Sequence, residues 1–497
     1  MNAKMHRARL SVLFAAAALA VAACGGGDDD DAPAPGPAPT PTPTPTPPPS
    51  PQPNTLDKVK SKLEQQSSLW ATAVPSAEQN FAHHDSCYLN NGLSKDMRIA
   101  GFNPDSAAYL VGFKFDNIEV RDERQTTNSD GSARHEVDVQ YDEVYADGTA
   151  NKGIRTTLIS GSSAGTRGCA TPTVSDEFRH MGNQRIAGFT MNPRNIIITR
   201  NKLSDGAAVD GATSIRREVR VNVTDPGRRA TYAIVSGPGF ASGKWKMLAA
   251  HVIRDAPEMQ GKPGNANYSD TDNFRFCAVP SGSQYSSEAA DCAGQGVGSD
   301  GAGVNVGGAF DPAAVQASDN LFNSWGFSTT APYTVQLYND DGWKTVNGQA
   351  GKTPIATYTT RLSALPYTLA QSVSHARTMS PTAASSSLSP TEIAAAMRGG
   401  GAATTVTLRN PQPLAGEPAM ATSFVYGYVH GPKTGATGAW PRVRSIMVSY
   451  PAPGANTLSM AIPGKPEAAS AVTYGELWFN GSDRNGRVVA HQMQFFD

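Results

Sequence analysis

Apolar residues follow three regimes along this chain. Leu10 to Ala23 is an apolar run of fourteen residues, rich in Ala, Val and Leu and interrupted only by Ser11, shorter than the roughly 20 needed to span a bilayer. Leu56, Val59, Leu63, Trp70 and Val74 then recur near helical spacing until Pro75, which predicts an amphipathic helix ended by proline. Ser76 to His84 starts a second helical stretch. After Pro104 the period changes to two. Phe113 and Phe115 alternate with Lys114 and Asp116, and Val137, Val139 and Tyr141 alternate with Glu136, Asp138 and Gln140. Asn128-Ser129-Asp130-Gly131 and Asp147-Gly148 sit between these runs and supply the residue types that turns with positive φ prefer. Gly153 to Ser160 and Glu177 to Phe189 extend the meander. Residues 55–192 are therefore expected to form an α+β unit, a helix followed by an antiparallel sheet.

The alternation continues in shorter pieces. Asn195 to Arg200, Arg217 to Thr224, Ala230 to Val235, Trp245 to Arg254, Phe274 to Val279, Tyr333 to Asn339 and Pro354 to Leu362 read as strands separated by Gly, Asp and Pro. A Gly-, Ser- and Ala-rich insertion spans Pro280 to Gly308. Asp311-Pro312 then offers an N-cap and a first-turn proline for a helix over Ala313 to Trp325. The Ser/Ala/Pro stretch Ser380 to Leu388 marks a boundary. Ser389-Pro390-Thr391-Glu392 after it has the form of a capping box. Six further strand-like runs follow, the last two joined at Asn485-Gly486. The expected fold is multi-domain and mainly β, with β-sandwich-like units at 193–379 and 380–497 behind the α+β unit. The strand pattern of both resembles immunoglobulin-like sandwiches. The helix-then-meander order of 55–192, with its Gly182-Asn183-Gln184-Arg185 run, resembles the cones of nuclear-transport-factor-like and cystatin-like folds. That resemblance implies a small-ligand site or an interaction module.

The N-terminal run gives an address. Lys4, Arg7 and Arg9 precede it, as in a secretory signal, so residues 1–23 read as a signal peptide. Val21-Ala22-Ala23-Cys24 closely resembles the lipobox of bacterial lipoproteins. The resemblance implies that Cys24 becomes the lipidated first residue of the mature chain, anchoring it without a transmembrane helix. Gly25, a non-acidic residue after the cysteine, implies sorting to the outer membrane. Residues 24–54 add four aspartates and the Thr/Pro repeat Thr40 to Pro49, with no large apolar residue. Such a segment cannot bury enough surface to fold. Extended as polyproline helix, it reaches up to about 90 Å, and it is read as a stalk.

Charge narrows the partners. Removing Lys4, Arg7 and Arg9 takes the formal charge from −1 to −4, which the four stalk aspartates account for. The folded part is thus near neutral, without the basic block that a nucleic-acid binder needs. With Cys24 lipidated, Cys87, Cys169, Cys277 and Cys292 remain, an even number suited to two disulfides in an oxidising compartment. Of the three connectivities, the unit boundaries favour Cys87–Cys169 and Cys277–Cys292.

Candidate chemistry is sparse. Gly161-Ser162-Ser163-Ala164-Gly165 has the spacing of a nucleophile elbow, but that elbow needs a strand before it and a helix after it. Within a strand meander the stretch reads as a hairpin loop. His83-His84-Asp85 with Cys87, and with His135 or His180, is a metal-type grouping. Adjacent histidines on a helix point to different faces, however, and Cys87 is committed to a disulfide, so no metal is expected. Asp483-Arg484-Asn485-Gly486 and Asp270-Thr271-Asp272 lack the later glutamate of a calcium loop and read as turns. Trp343, after the turn Asn339 to Gly342, and Trp440, in a Gly/Thr-rich segment, are the candidates for stacking on a sugar. No catalytic residue and no cofactor is assigned. The expectation is a lipid-anchored cell-envelope protein, joined to the membrane by its lipid and acting as a non-catalytic binding or structural module toward a glycan or an envelope protein. The alternative is a glycan hydrolase whose site the sequence does not identify.

Overall fold

The computed structural model describes residues 53–102, 104–107, 110–144, 150–167, 169, 171–209, 213–240, 244–262, 273–277, 291–308, 311–372, 388–399, 405–409, 420–431, 442–449, 457–462, 471–483 and 486–497. Cys24, the stalk, Asp270-Thr271-Asp272 and Trp440 lie outside these residues. The protein is mainly β with several sheets, as expected. No described helix is long and apolar enough to cross a membrane.

The first unit packs helix α1 (Pro53–Ser68) on a four-stranded antiparallel sheet. Its strands follow chain order: β3 (Lys114–Thr127), β4 (Ala133–Val144), β5 (Ala150–Ser162) and β6 (Val174–His180). Val59 and Leu63, one turn apart, are fully buried against Val137, Val139, Leu158 and Phe178. Burying two such side chains contributes roughly 3–6 kcal/mol, which is what holds the helix on the sheet. Trp70, just past the helix, packs in a satellite cluster with Phe102 and Phe113. Between α1 and β3 come α2 (Ala77–Phe81), whose N-cap Ser76 forms a capping box with Gln79, and the hairpin β1 (Leu89–Asn90) and β2 (Leu93–Ser94). Short helices α3 (Lys95–Ala100) and α4 (Pro104–Ala107) complete the connection.

The single strand expected over Glu177 to Phe189 is two strands in different sheets. Gly182 and Gln184 take positive φ, and a side chain on Gly182 would collide with the Leu89 carbonyl at 2.4 Å. The chain breaks there. β7 (Gly188–Lys202) starts a new sheet and runs straight through the expected boundary at 192/193.

That sheet has seven strands, in the order β12 (Gly301–Gly307), β8 (Ser214–Thr224), β7, β20 (Val488–Phe496), β19 (Tyr474–Asp483), β16 (Met420–His430) and β17 (Arg442–Ser449). All its pairings are antiparallel except β20 with β7, which run parallel from Val488↔Arg194 to Phe496↔Lys202. This ladder crosses the division expected at residue 380 and joins the segments 193–379 and 380–497 in one sheet. Pro193 is tolerated in a central strand because β20 begins opposite Arg194, so no partner on that side requires its missing N–H. A five-stranded sheet forms the second layer: β9 (Tyr232–Ser236), β10 (Lys244–Leu248), β11 (Arg275–Phe276), β13 (Tyr333–Tyr338) and β14 (Ala356–Thr360), in the order β11-β10-β9-β13-β14. The two layers share one core. Val219, Val221 and Val223 of β8 and Leu477, Phe479, Met493 and Phe495 of β19 and β20 belong to the same buried cluster as Tyr232, Trp245 and Val335. β15 (Thr405–Arg409) and β18 (Thr457–Ala461) form a separate antiparallel pair.

Helices close the core, two of them where the sequence predicts them, whereas the strand expected over Trp245 to Arg254 ends at Leu248 and gives way to a helix. α5 (Ala250–Asp255) and α6 (Cys292–Gln295) are short; α7 (Pro312–Ser324) begins at Asp311, which accepts from the amides of Ala313 and Ala314. α8 (Pro390–Arg398) begins with the Ser389–Glu392 capping box and buries Ile393, Ala394 and Met397. Disulfides link Cys87 to Cys169 and Cys277 to Cys292, with Cα separations of 4.6 and 4.9 Å.

Candidate functional site

Most residues singled out by sequence are committed to the fold. Trp343 sits in a one-turn 3-10 helix, is 4% exposed and belongs to the shared core, with Lys344 over its ring. The sugar-stacking role expected of it is corrected: the turn at Asn339 to Gly342 directs the indole inward. In the Gly161 to Gly165 stretch, Gly161 and Ser162 end β5 and the chain turns from Ser163 on. Ser163 is fully buried, its Oγ accepting from the Thr173 amide at 2.9 Å and donating to the Thr173 carbonyl at 3.3 Å. Gly161 has positive φ, and a side chain there would strike the Ala133 carbonyl at 2.4 Å, so the position favours glycine on both counts. Asp483 accepts from the Tyr367 hydroxyl at 2.9 Å and the Arg487 amide at 3.0 Å, and its carbonyl accepts from the Gly486 amide; Arg484 and Asn485 lie outside the described residues.

The His83-His84-Asp85 stretch is sewn to β6. The His180 amide donates to the His83 carbonyl and the Asp85 amide to the His180 carbonyl, both at 2.9 Å. Asp85, fully buried, accepts from Arg179 Nε at 2.7 Å. The His84 and His180 rings stack at 5.1 Å. His180 bonds Gln66 at 2.7 Å and Thr156 at 3.3 Å. Burial pushes the His180 imidazole down to about 3, reinforced by His83 and Lys62, and lowers His84 strongly too. Two neutral stacked imidazoles make a packing device here. His135 lies elsewhere, bonded to Glu123. Among the described residues no group of three or more His, Cys, Asp or Glu side chains is arranged to hold a metal.

His135 instead lines a cavity of about 160 Å³ between the start of α1 and the sheet. The strand pattern explains it. Val137, Leu158 and Phe178 form the apolar centre of the sheet's helix-facing side. Two residues along each strand, the same face carries His135, Ser160 and Asp176, and the core gives way to polar groups. Glu123, largely buried, bridges them: its Oε1 accepts from Thr55 Oγ1 at 2.9 Å and lies 2.7 Å from His135 Nε2. Lys58 and Gln125 complete the rim, and Phe178 supplies an aromatic wall. His135 and Ser160 are direct cross-strand partners. The cavity thus presents carboxylates, hydroxyls, an amide, an imidazole and an ammonium around one ring. The signal was available in the sequence: counting back by twos from Tyr141 through Val139 and Val137 places His135 on the buried face.

Compared with known proteins, the chain matches no family model and no curated sequence.

Proposed function

We propose that this chain is a lipid-anchored protein of the cell envelope, held at the outer membrane through Cys24. Its folded body acts as a non-catalytic binding module for a hydroxyl-rich ligand, such as a sugar unit of an envelope glycan. The lipobox-like Val21-Ala22-Ala23-Cys24 and the acidic, Pro-rich stalk support the anchor. One observation carries the ligand class. The cavity beside α1 combines donors and acceptors at close spacing with the Phe178 ring, and polyols are bound by such a mix of hydrogen bonds and ring contacts. The layering of seven- and five-stranded sheets over one core supports the sandwich reading of residues 193–497.

Metabolic labelling with a palmitate analogue is expected to mark the wild type in the outer-membrane fraction and leave Cys24→Ala unmarked. Equal labelling of the two, or labelling of neither, overturns the anchor. Calorimetric titration with peptidoglycan fragments and neutral oligosaccharides is expected to saturate. Gln125→Ala should then weaken binding by up to about tenfold, the weight of one neutral hydrogen bond. A ligand class is ruled out if no fragment saturates, or if Gln125→Ala and Lys58→Ala both bind as the wild type does.

One arrangement favours a second reading, as a hydrolase. Ser160, His135 and Glu123 line the same cavity, with Glu123 bonded to the imidazole and Ser160 across the ladder from it. In that reading His135 takes the Ser160 proton and Glu123 orients the ring. A fluorophosphonate probe would label the wild type but not Ser160→Ala; an unlabelled wild type removes this reading.

A further inference from the structure

The face of the seven-stranded sheet turned away from the core carries an unusual concentration of guanidinium groups. Along β8 the odd residues Val219, Val221 and Val223 enter the core, so Arg216, Glu218 and Arg220 lie on the opposite side. Arg194 of β7 is the ladder partner of Glu218 and bonds it through Nε at 2.7 Å. Arg216 reaches the same carboxylate at 3.6 Å. Next to this pair, Arg220 Nε and Arg275 hold Asp300 at 2.8 and 3.4 Å.

The two carboxylates lie underneath and the four guanidiniums lie above. Glu218 and Asp300 side chains are 1% and 4% exposed, whereas Arg194, Arg216, Arg220 and Arg275 range from 17% to 37%. Among the described residues, four guanidiniums share these two carboxylates. Their mutual repulsion registers on the groups themselves. Burial lowers the Arg220 guanidinium, Asp300 opposes that, and Arg194 and Arg275 lower it further. Burial raises Asp300, but Arg220, Arg275 and Arg194 outweigh it and hold the carboxyl far below its usual range. On the neighbouring strand β12 the same face bears Gly301 and Gly303, which place no side chain over the patch.

We propose that this patch binds a phosphate group. A guanidinium presents five N–H donors in a fixed fork, and Arg194 and Arg220 each spend only part of theirs on a carboxylate. A phosphate dianion would relieve the repulsion that Arg194 and Arg275 exert on Arg220. The phosphate comes either from a soluble phosphorylated molecule or from an anionic lipid headgroup. This site is separate from the cavity beside α1 and does not depend on the reading given to that cavity.

The test uses the full chain carrying Cys24→Ala, so that no acyl group contributes to vesicle binding. Inorganic phosphate is titrated at fixed ionic strength against chloride, and phosphatidylglycerol vesicles against phosphatidylcholine vesicles. Phosphate is expected to saturate, and Arg216→Gln to weaken it about tenfold, as for one lost charged hydrogen bond. Arg216 is the most exposed of the four and farthest from its carboxylate, so the variant keeps the ladder. Arg216→Lys, which retains charge but not the fork, should fall in between. Saturation by phosphate alone supports a soluble ligand; added capture by anionic vesicles, lost in Arg216→Gln, supports a headgroup. The proposal is overturned if neither probe binds beyond its chloride or phosphatidylcholine control. It is equally overturned if Arg216→Gln and the parent bind alike.

Discussion

Asp319→Ala is expected to destabilise the chain by about 3–5 kcal/mol in urea denaturation, because it strands a charge inside the core. Asp319 lies on α7, and Arg217 points inward from β8 beneath it. Their side chains are 8% and 3% exposed, and Arg217 donates to Asp319 Oδ1 at 2.8 Å. The carboxylate also accepts from the Leu369 amide, at 2.9 and 3.0 Å to its two oxygens. The guanidinium lies 4.2 Å from the centre of the Phe322 ring. Burial lowers the Arg217 guanidinium while Asp319 opposes the shift, so the pair is what keeps the charge inside. Removing the carboxylate leaves a cation and a backbone amide unpaired at the junction of helix, sheet and the 367–369 segment. Removing both charges is a different case. The double variant Arg217→Met/Asp319→Leu should recover most of the loss, since well-packed apolar replacements of buried pairs are often neutral or stabilising. Should Asp319→Ala stay within about 1 kcal/mol of wild type, the pair carries no such weight.

The same residue shows how far sequence reading reaches. Arg217 shares its parity with Val219, Val221 and Val223, so alternation puts it on the inward face. A charged residue there needs a partner, and nothing near it in sequence identifies Asp319, 102 residues away. Features set by neighbours in sequence were legible: the Asp311-Pro312 helix start, the Ser389 capping box and most strand runs, Trp245 to Arg254 excepted, whose second half is helical. The disulfides were legible because few pairings exist. Features set by distant pairing were not. β20 docks beside β7 across some 290 residues, and periodicity carries no trace of which strand a ladder will choose. The split of Glu177 to Phe189 depended on Gly182 approaching Leu89, a contact between separate segments. Trp343 misled for a related reason. A turn before a tryptophan indicates a loop but not whether the loop folds over the core. The cavity around Glu123 and His135 was partly readable, from the parity of His135, whereas the contribution of Thr55 from α1 required the packed helix.

Stability of the first unit is expected to fall as pH drops from 7.5 to 5, and the His84–His180 stack is the cause. His180 joins α1, β5 and β6 through Gln66 and Thr156 and sits 6% exposed. Among the described residues no carboxylate is bonded to its ring; the charged groups that bear on it, His83 and Lys62, are cationic or become so. Its pKa is therefore about 3 in the folded chain, against 6.5 when the ring is exposed. Between those values the unfolded chain binds a proton that the folded chain refuses, so stability rises with pH in that window and is flat above it. At pH 5 the loss from His180 alone is about 2 kcal/mol, growing further toward pH 3. His84 shifts in the same direction, through burial first and then His180, Arg98 and Lys95, and so steepens the slope. Hydrogen exchange at the β6 amides, read at pH 5 and 7.5 after correction for intrinsic rates, reports this unit without the core shared by the seven- and five-stranded sheets. His180→Gln keeps a hydrogen-bonding group toward Gln66 and Thr156 but cannot take up the proton. It should flatten the profile even if it lowers protection overall. A pH slope that survives His180→Gln unchanged would place the titrating group elsewhere and remove the stacked imidazoles as its source.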